Sequence, residues 1–248
     1  MVTATSQNKP YHVYLGGARA LRLDLTATYA IALDGPSGAG KSTVAKLVAK
    51  ALKITYLDTG ALYRALGLVC LKNGVDVNDG GAVEKCIKDV DVNIVYRDGV
   101  QSVIADGEDV SSEIRTPEVS MAASAVSAIP YVRQKLLGLQ RGIAEKSSVI
   151  LDGRDIGTVV LPQAEFKFFL TATAEERARR RFDELTAKGQ VTTYEDVYND
   201  VVMRDLNDST RAIAPLKRAF DALEINSDNM SAEEVADYIY STVNGDLL

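Results

Sequence analysis

The chain has 248 residues, 46% of them hydrophobic and 25% charged, a balance that excludes a disordered, collagenous or coiled-coil protein. Its 28 basic residues are outnumbered by 34 acidic ones, for a net charge of −6. Such a chain is a poor general binder of nucleic acid, because that affinity rests on cations neutralising phosphates.

Residues 1–28 carry Lys9, Arg19 and Arg22, no acid before Asp24, and no sustained periodicity. They lack the basic start and apolar block of a signal peptide. An Arg-rich, acid-poor stretch is compatible with a transit peptide, but a loosely docked extension is the expected reading. His12 is the lone histidine, so no zinc-type ligand set is available. No apolar run approaches the ~18 residues of a membrane span. The two cysteines, Cys70 and Cys86, sit among apolar residues in helical segments. That predicts two buried, reduced thiols and a soluble, cytoplasmic protein.

From Tyr29 the pattern sharpens. Residues 29–33 are an apolar run entering DGPSGAG, which predicts a buried strand and a glycine-rich turn. Val44, Leu47, Val48, Ala51 and Leu52 then fall on one stripe of a helix. Residues 54–57 read as a second strand and 61–72 as a helix stopped by Asn73-Gly74. Strand–helix–strand–helix order predicts a parallel sheet covered by helices. Segments 92–96 and 100–105 flank Arg97-Asp98-Gly99, and Asp106-Gly107 follows, so a small antiparallel meander is expected. Helices over 117–127 and 130–146 come next, the latter with Val132, Leu136, Leu139 and Ile143 on one side. Strands at 148–151 and 166–170 resume the sheet. Thr173 and Glu176, then Ser231 and Glu234, have capping-box spacing at the start of two further helices, the last burying Val235, Tyr238 and Ile239. The segment 74–127 reads as a subdomain inserted in an α/β core.

Gly35-Pro36-Ser37-Gly38-Ala39-Gly40-Lys41-Ser42, followed by Thr43, fits G-x-x-x-x-G-K-[S/T] between a strand and a helix. Glycines let successive backbone N–H groups turn inward on a polyphosphate, and the helix N-terminus adds partial positive charge. Lys41 is expected to reach the β- and γ-phosphates and Ser42 to ligate Mg²⁺ directly. Nucleoside-triphosphate binding follows, but the reaction does not, since GTPase switches, DNA-stimulated ATPases and small-molecule kinases share this loop.

An acceptor of the phosphoryl group should be marked by arginines, which offset the charge of two anions pressed together. Asp58-Thr59-Gly60-Ala61-Leu62-Tyr63-Arg64 and Asp152-Gly153-Arg154-Asp155 each follow a strand, at the carboxyl edge where open α/β sheets bind ligands. Asp152 sits where a carboxylate would bias Mg²⁺ through water. On the Arg-rich helix, Glu175–Arg179, Glu176–Arg180, Arg179–Asp183 and Arg180–Glu184 are spaced to neutralise each other. Arg177 and Arg181 lack acidic i±4 partners and share a face, with only Glu184 at i+3 of the second, which leaves them for a ligand. Arg204, Asp208 and Arg211 form a further i, i+4, i+7 stripe, whose alternative is an exposed ion-pair face.

The strings DGPSGAGKST, LDTGALYR, VSSEIRTPEV, SAIPYVRQKL, LDGRDIGTVV and RAIAPL closely resemble the bacterial cytidylate kinase family, nucleoside-monophosphate kinases acting on CMP and dCMP. The resemblance runs from about Tyr29 to the C-terminus, leaving only residues 1–28 outside it. It implies a P-loop NTPase core, a parallel sheet flanked by helices, with an antiparallel-sheet NMP-binding insert and a helical lid. The core would be 29–58 and 147–248, the NMP-binding region about 59–146, and the lid about 173–211. By matching positions, Thr59 stands beside the monophosphate, and Ser124, Arg133 and Asp155 read the cytosine edge. Arg64 and Arg154 clamp the acceptor phosphate, while Arg204, Asp208 and Arg211 contact ribose and phosphate. Lys41, Arg154, Arg204, Arg177 and Arg181 would carry the transfer. Asp208-Ser209-Thr210 departs from the family's frequent Asp-Arg-Asn, although Asp208 and Arg211 are retained. Chemistry agrees with a cytosine ligand: a carboxylate accepts from its amino group, and an arginine donates to N3 and O2. The expected partners are ATP and CMP or dCMP, with Mg²⁺ as cofactor, no nucleic acid or membrane, and a monomeric protein. A P-loop kinase for another small acceptor is the near alternative, and a nucleotide-driven switch or ATPase the distant one.

Overall fold

The computed structural model describes residues 28–97 and 99–245. The expected N-terminal extension lies outside them apart from Thr28, as do His12 and Asp98 of the expected hairpin turn.

Strand β1 (Ala30–Asp34) lies at the centre of a five-stranded parallel sheet, between β6 (Val149–Gly153) and β7 (Phe166–Thr171). Strand β2 (Thr55–Asp58) is the edge beside β6, and β8 (Leu223–Asn226) the edge beside β7. A strand covered on both faces needs a continuous apolar run rather than alternation, and Ile31, Leu33, Ile150 and Leu151 are all fully buried. The sequence pattern missed β8 because its burial is confined to Ile225, too little apolar signal for a strand.

Helices α1 (Lys41–Leu52) and α8 (Ala232–Asn244) pack together, and Val44, Val48, Ile239 and Val243 join the Phe168 cluster. The buried stripe of α1 is Val44, Ala45, Val48 and Ala49, displaced from the expected one. Ala45 and Ala49 join the buried cluster of Ile31 and Leu33, whereas Leu47 and Ala51 line a cleft beside α8. Ser231 and Glu234 form a complete capping box on α8. At Thr173 only half of it forms: the hydroxyl accepts from Glu176 N–H at 3.3 Å, but the Glu176 carboxylate is drawn to Arg179 and Arg180.

A second cluster is built by α2 (Thr59–Lys72), α3 (Gly80–Ile87), α4 (Pro117–Val126) and α5 (Pro130–Ala144). The expected meander is present as β3 (Val92–Arg97), β4 (Val100–Ala105) and the short β5 (Glu108–Asp109), a separate antiparallel sheet. Cys70 is buried here but Cys86 is only partly so, which corrects the expectation of two buried thiols. Lastly, α6 (Ala174–Ala187) and α7 (Tyr194–Thr210) share a small core of Ala178, Leu185, Val197 and Val201.

Gly35 directly follows β1 with φ of 150°, and a Cβ there would lie 1.9 Å from the Leu170 carbonyl oxygen of β7. Both faults act together in a Gly35→Ala variant, which is expected to lose roughly 2–6 kcal/mol of stability. Urea denaturation measures it; an unchanged midpoint would refute this tight approach of loop to sheet.

Candidate active site

The carboxyl ends of β1, β2 and β6 converge on one cleft of about 640 Å³. On its floor, Gly38 and Gly40 adopt φ of 78° and 90°, turning the loop over the N-terminus of α1. No side chain caps that terminus, so its first N–H groups are left for an anion. Lys41 is nearly buried, and its Nζ donates to the Pro36 carbonyl at 2.6 Å. Burial and the neighbouring Arg154 cation lower its pKa, against the pull of Asp152.

Ser42 Oγ donates to Asp152 Oδ2 at 2.7 Å, and the Tyr56 hydroxyl donates to Oδ1 at 3.2 Å. Burial and then Asp58 push the Asp152 carboxyl up to about 6. The buried Thr59 hydroxyl donates to the Asp152 carbonyl at 2.7 Å, tying α2 to β6. Across the cleft, Arg64 Nη2 pairs with Asp58 Oδ2 at 2.6 Å, and Arg154 Nε with Asp208 Oδ2 at 2.8 Å. Burial works against the Arg154 cation, but Asp208 prevails and its pKa stands raised. Arg204 has no such dominant partner: burial, then Arg154, draw its pKa down to about 10. The Nε atoms of Arg64 and Arg204 are buried without a hydrogen-bond acceptor. Orphaned guanidinium donors cost free energy unless an anion receives them.

Asp155 lies deeper. It is ion-paired with Arg133, and Arg211 Nη2 reaches its Oδ1 at 3.3 Å. Burial raises its pKa despite both arginines. Arg133 sits 5.7 Å over the Tyr63 ring, and Ser124 Oγ donates to Asp208 Oδ1 at 3.4 Å. Asp34 holds this loop from below, its oxygens accepting from the Ile156 and Gly157 N–H groups at 2.8 Å each. That anchors the π-helical turn Ile156–Val160 after Asp155. Burial raises Asp34 to about 6.

The cleft brings together Ser37, Gly38, Gly40, Lys41, Ser42 and Thr43 with Thr59, Arg64, Ser124, Arg133, Asp152, Arg154, Asp155, Arg181, Arg204, Asp208 and Arg211. Gly35, Pro36 and Ala39 shape the loop without lining the cleft. Two readings are corrected. Arg177 is not left for a ligand: Asp205 of α7 pairs with its Nη1 and Nη2 at 3.0 and 2.5 Å, Ser37 O accepts from Nη1 at 3.0 Å, and Ala172 O accepts from Nε at 2.9 Å. Its partner lies on another helix, which i±4 counting cannot find. Arg181 is paired with Glu184 at 2.8 Å, although it still lines the cleft. The pairs expected within α6 for Glu175–Arg179 and Arg180–Glu184 are replaced, Arg180 turning instead to the Ser227 carbonyl and hydroxyl. The Arg204, Asp208 and Arg211 stripe faces the cleft rather than forming a solvated face.

Sequence reasoning passed over Tyr56, Asp58, Asp34 and Gln101. Asp58 and Asp34 stood inside quoted motifs, so proximity to a motif was a usable signal; for Tyr56 and Gln101 there was none.

A glycine-rich loop at the head of a parallel sheet, facing buried arginines across one cleft, defines a P-loop phosphotransferase. Residues 31–245 match the family described as Cytidylate kinase. The chain is 50% identical over 205 residues to a cytidylate kinase of Carboxydothermus hydrogenoformans, covering 83% of this chain and 92% of that protein. It is 52% identical over 205 residues to one from Caldicellulosiruptor saccharolyticus, covering 83% and 91%. With one from Clostridioides difficile it shares 50% identity over 214 residues, covering 86% and 97%. The chain belongs to the cytidylate kinase family.

Proposed function

We propose that this protein transfers the γ-phosphoryl group of ATP to CMP or dCMP, giving CDP or dCDP and ADP. The observation that carries the reading is the placement of Asp155, between Arg133 and Arg211, in the same cleft as the phosphate loop. Cytosine offers an amino donor beside two acceptors. Asp155 accepts from the amino group, and Arg133 with Ser124 holds the remaining edge.

A phosphate oxygen of the monophosphate forms a bond to the γ-phosphorus while the bond from that phosphorus to the β–γ bridging oxygen breaks. The electron pair leaves with ADP. No general base is needed, because this transfer depends on positioning and charge stabilisation. Lys41 neutralises charge on the donor phosphates, Arg64 and Arg154 hold the acceptor phosphate, and Arg204 offers its unpartnered donor to both. Asp208 and Arg211 contact the ribose and phosphate, and Arg181 closes from the lid. Arg177 acts through the loop carbonyl it holds.

The hydroxyl of Ser42 and the carboxylate of Asp152, 2.7 Å apart, are hard oxygen donors suited to Mg²⁺. Ser42 would bind it directly and Asp152 through water. Held there, Mg²⁺ would supply positive charge to offset that of the donor phosphates. We read the protein as a cytoplasmic monomer without nucleic-acid or membrane partners. Its unbridged cysteines suit a reducing compartment, and one chain supplies cradle, clamp and lid. No helix among the described residues is long and apolar enough to cross a membrane.

The test is a coupled ADP-release assay with ATP, Mg²⁺ and a panel of CMP, dCMP, UMP, AMP, GMP and shikimate. CMP and dCMP are expected to be turned over best. Equal turnover of another acceptor would replace the substrate assignment, and ATP hydrolysis unaffected by any acceptor would replace the kinase reading.

A further inference from the structure

Strand β2 is a sheet edge, and the antiparallel insert lies against it. Successive residues of a strand direct their N–H and C=O groups to opposite sides. Thr55 N–H donates toward β6, to Ser148 O at 3.1 Å. Tyr56 and Asp58 therefore face outward, where no further strand pairs with β2 among the described residues.

Side chains of the insert take the place of a neighbouring strand. The Tyr96 hydroxyl, from β3, donates to the Tyr56 carbonyl at 2.9 Å. Gln101, from β4, uses both ends of its amide on one residue: Oε1 accepts from Asp58 N–H at 2.8 Å, and Nε2 donates to the Asp58 carbonyl at 3.2 Å. A single side chain thus satisfies both outward backbone groups of Asp58.

Asp58 is the residue whose orientation matters. Its Oδ1 caps α2 by accepting from Ala61 N–H at 3.0 Å, and its Oδ2 receives Arg64 at 2.6 Å. Arg64 enters the cleft with its Nε buried and unpartnered. A small rotation of the Asp58 backbone would carry the carboxylate, and with it the guanidinium, away from the acceptor.

We propose that Gln101 is a positioning residue for the acceptor site, fixing the backbone of Asp58 so that its carboxylate aims Arg64 at the acceptor phosphate. This rests on reading Arg64 as part of the clamp on the monophosphate. Gln101 itself does not line the cleft, so it acts through Asp58. The insert then sets acceptor affinity from the sheet's outer edge, without touching the donor side.

The test is a set of purified variants assayed for separate CMP and ATP constants: Gln101→Ala, Gln101→Met, Tyr96→Phe, Arg64→Ala and the Gln101→Ala/Arg64→Ala pair. Losing two backbone hydrogen bonds predicts a rise of about tenfold in the KM for CMP with Gln101→Ala. The KM for ATP should stay at the parent value. Tyr96→Phe removes a bond to the same strand but not to Asp58, and should leave the CMP constant unchanged. In the Arg64→Ala background, Gln101→Ala should add less than about twofold, because coupled residues are not additive. An unchanged CMP constant, an equal rise for both substrates, or full additivity with Arg64→Ala would overturn the proposal. Should Gln101→Ala not fold, Gln101→Met, which keeps the side-chain length, carries the same comparison. If the parent enzyme proves to use another monophosphate, the substrate assignment fails by itself, and the same variants are compared on that acceptor.

Discussion

Lys41→Met is expected to cost roughly 10³-fold or more in kcat while leaving the protein folded. Lys41 is the cation nearest the base of the cradle, already lowered in pKa by burial and by Arg154. On the proposed reading its charge faces the transferring phosphoryl group in the transition state, where one such buried donor is worth two to three orders of magnitude or more. In the ligand-free protein burial, then Arg154, disfavour this cation more than Asp152 and Asp34 favour it, a cost that methionine removes. The urea midpoint should therefore hold or rise. Retention of more than about a tenth of parental turnover would be incompatible with the loop's assigned role.

Much of this site was legible because its chemistry is local in the chain. The phosphate loop is eight consecutive residues, and its demand for glycine at φ of 78° and 90° is written directly into Gly38 and Gly40. The hairpin at 92–105 was legible through turn residues between alternating runs, and Asp152 through its place at the end of an apolar strand. What escaped is what depends on pairing across the fold. Arg177 looked free because its partner Asp205 is 28 positions away on α7. Gln101 looked like any strand residue, yet it meets Asp58 across 43 positions. Asp34 passed as part of a turn, although it holds the Asp155 loop from 122 positions away. Sequence spacing gives side-chain neighbours within one helix or strand; it gives none between elements until the sheet order is known. The order β2-β6-β1-β7-β8 is what places Asp34, Asp58 and Asp152 at one edge.

Acceptor selectivity follows, on the proposed reading, from the Asp155 side of the cleft. In that reading Asp155 accepts from the cytosine amino group and Arg133 donates to the ring, so UMP presents the opposite polarity at two positions. Its O4 faces a carboxylate and its N3–H faces a guanidinium. Each buried mismatch costs about 1–3 kcal/mol, and water in the cleft moderates the total. A preference for CMP over UMP on the order of 10²-fold in kcat/KM is expected. Asp155→Asn keeps the shape but replaces the carboxylate with an amide that can donate to uracil O4. It should lower CMP turnover and narrow that preference to about tenfold or less. The same change leaves Arg133 and Arg211 without their shared counter-charge, so a loss of stability is expected as well. The CMP-to-UMP ratio separates the two effects, because a loss of folded protein lowers both rates equally. AMP and GMP should remain poor acceptors of either enzyme, since a pocket shaped for a pyrimidine leaves no room for the purine's second ring. If the ratio is the same in parent and variant, Asp155 does not read the base, and its role is confined to holding Arg133 and Arg211 in place.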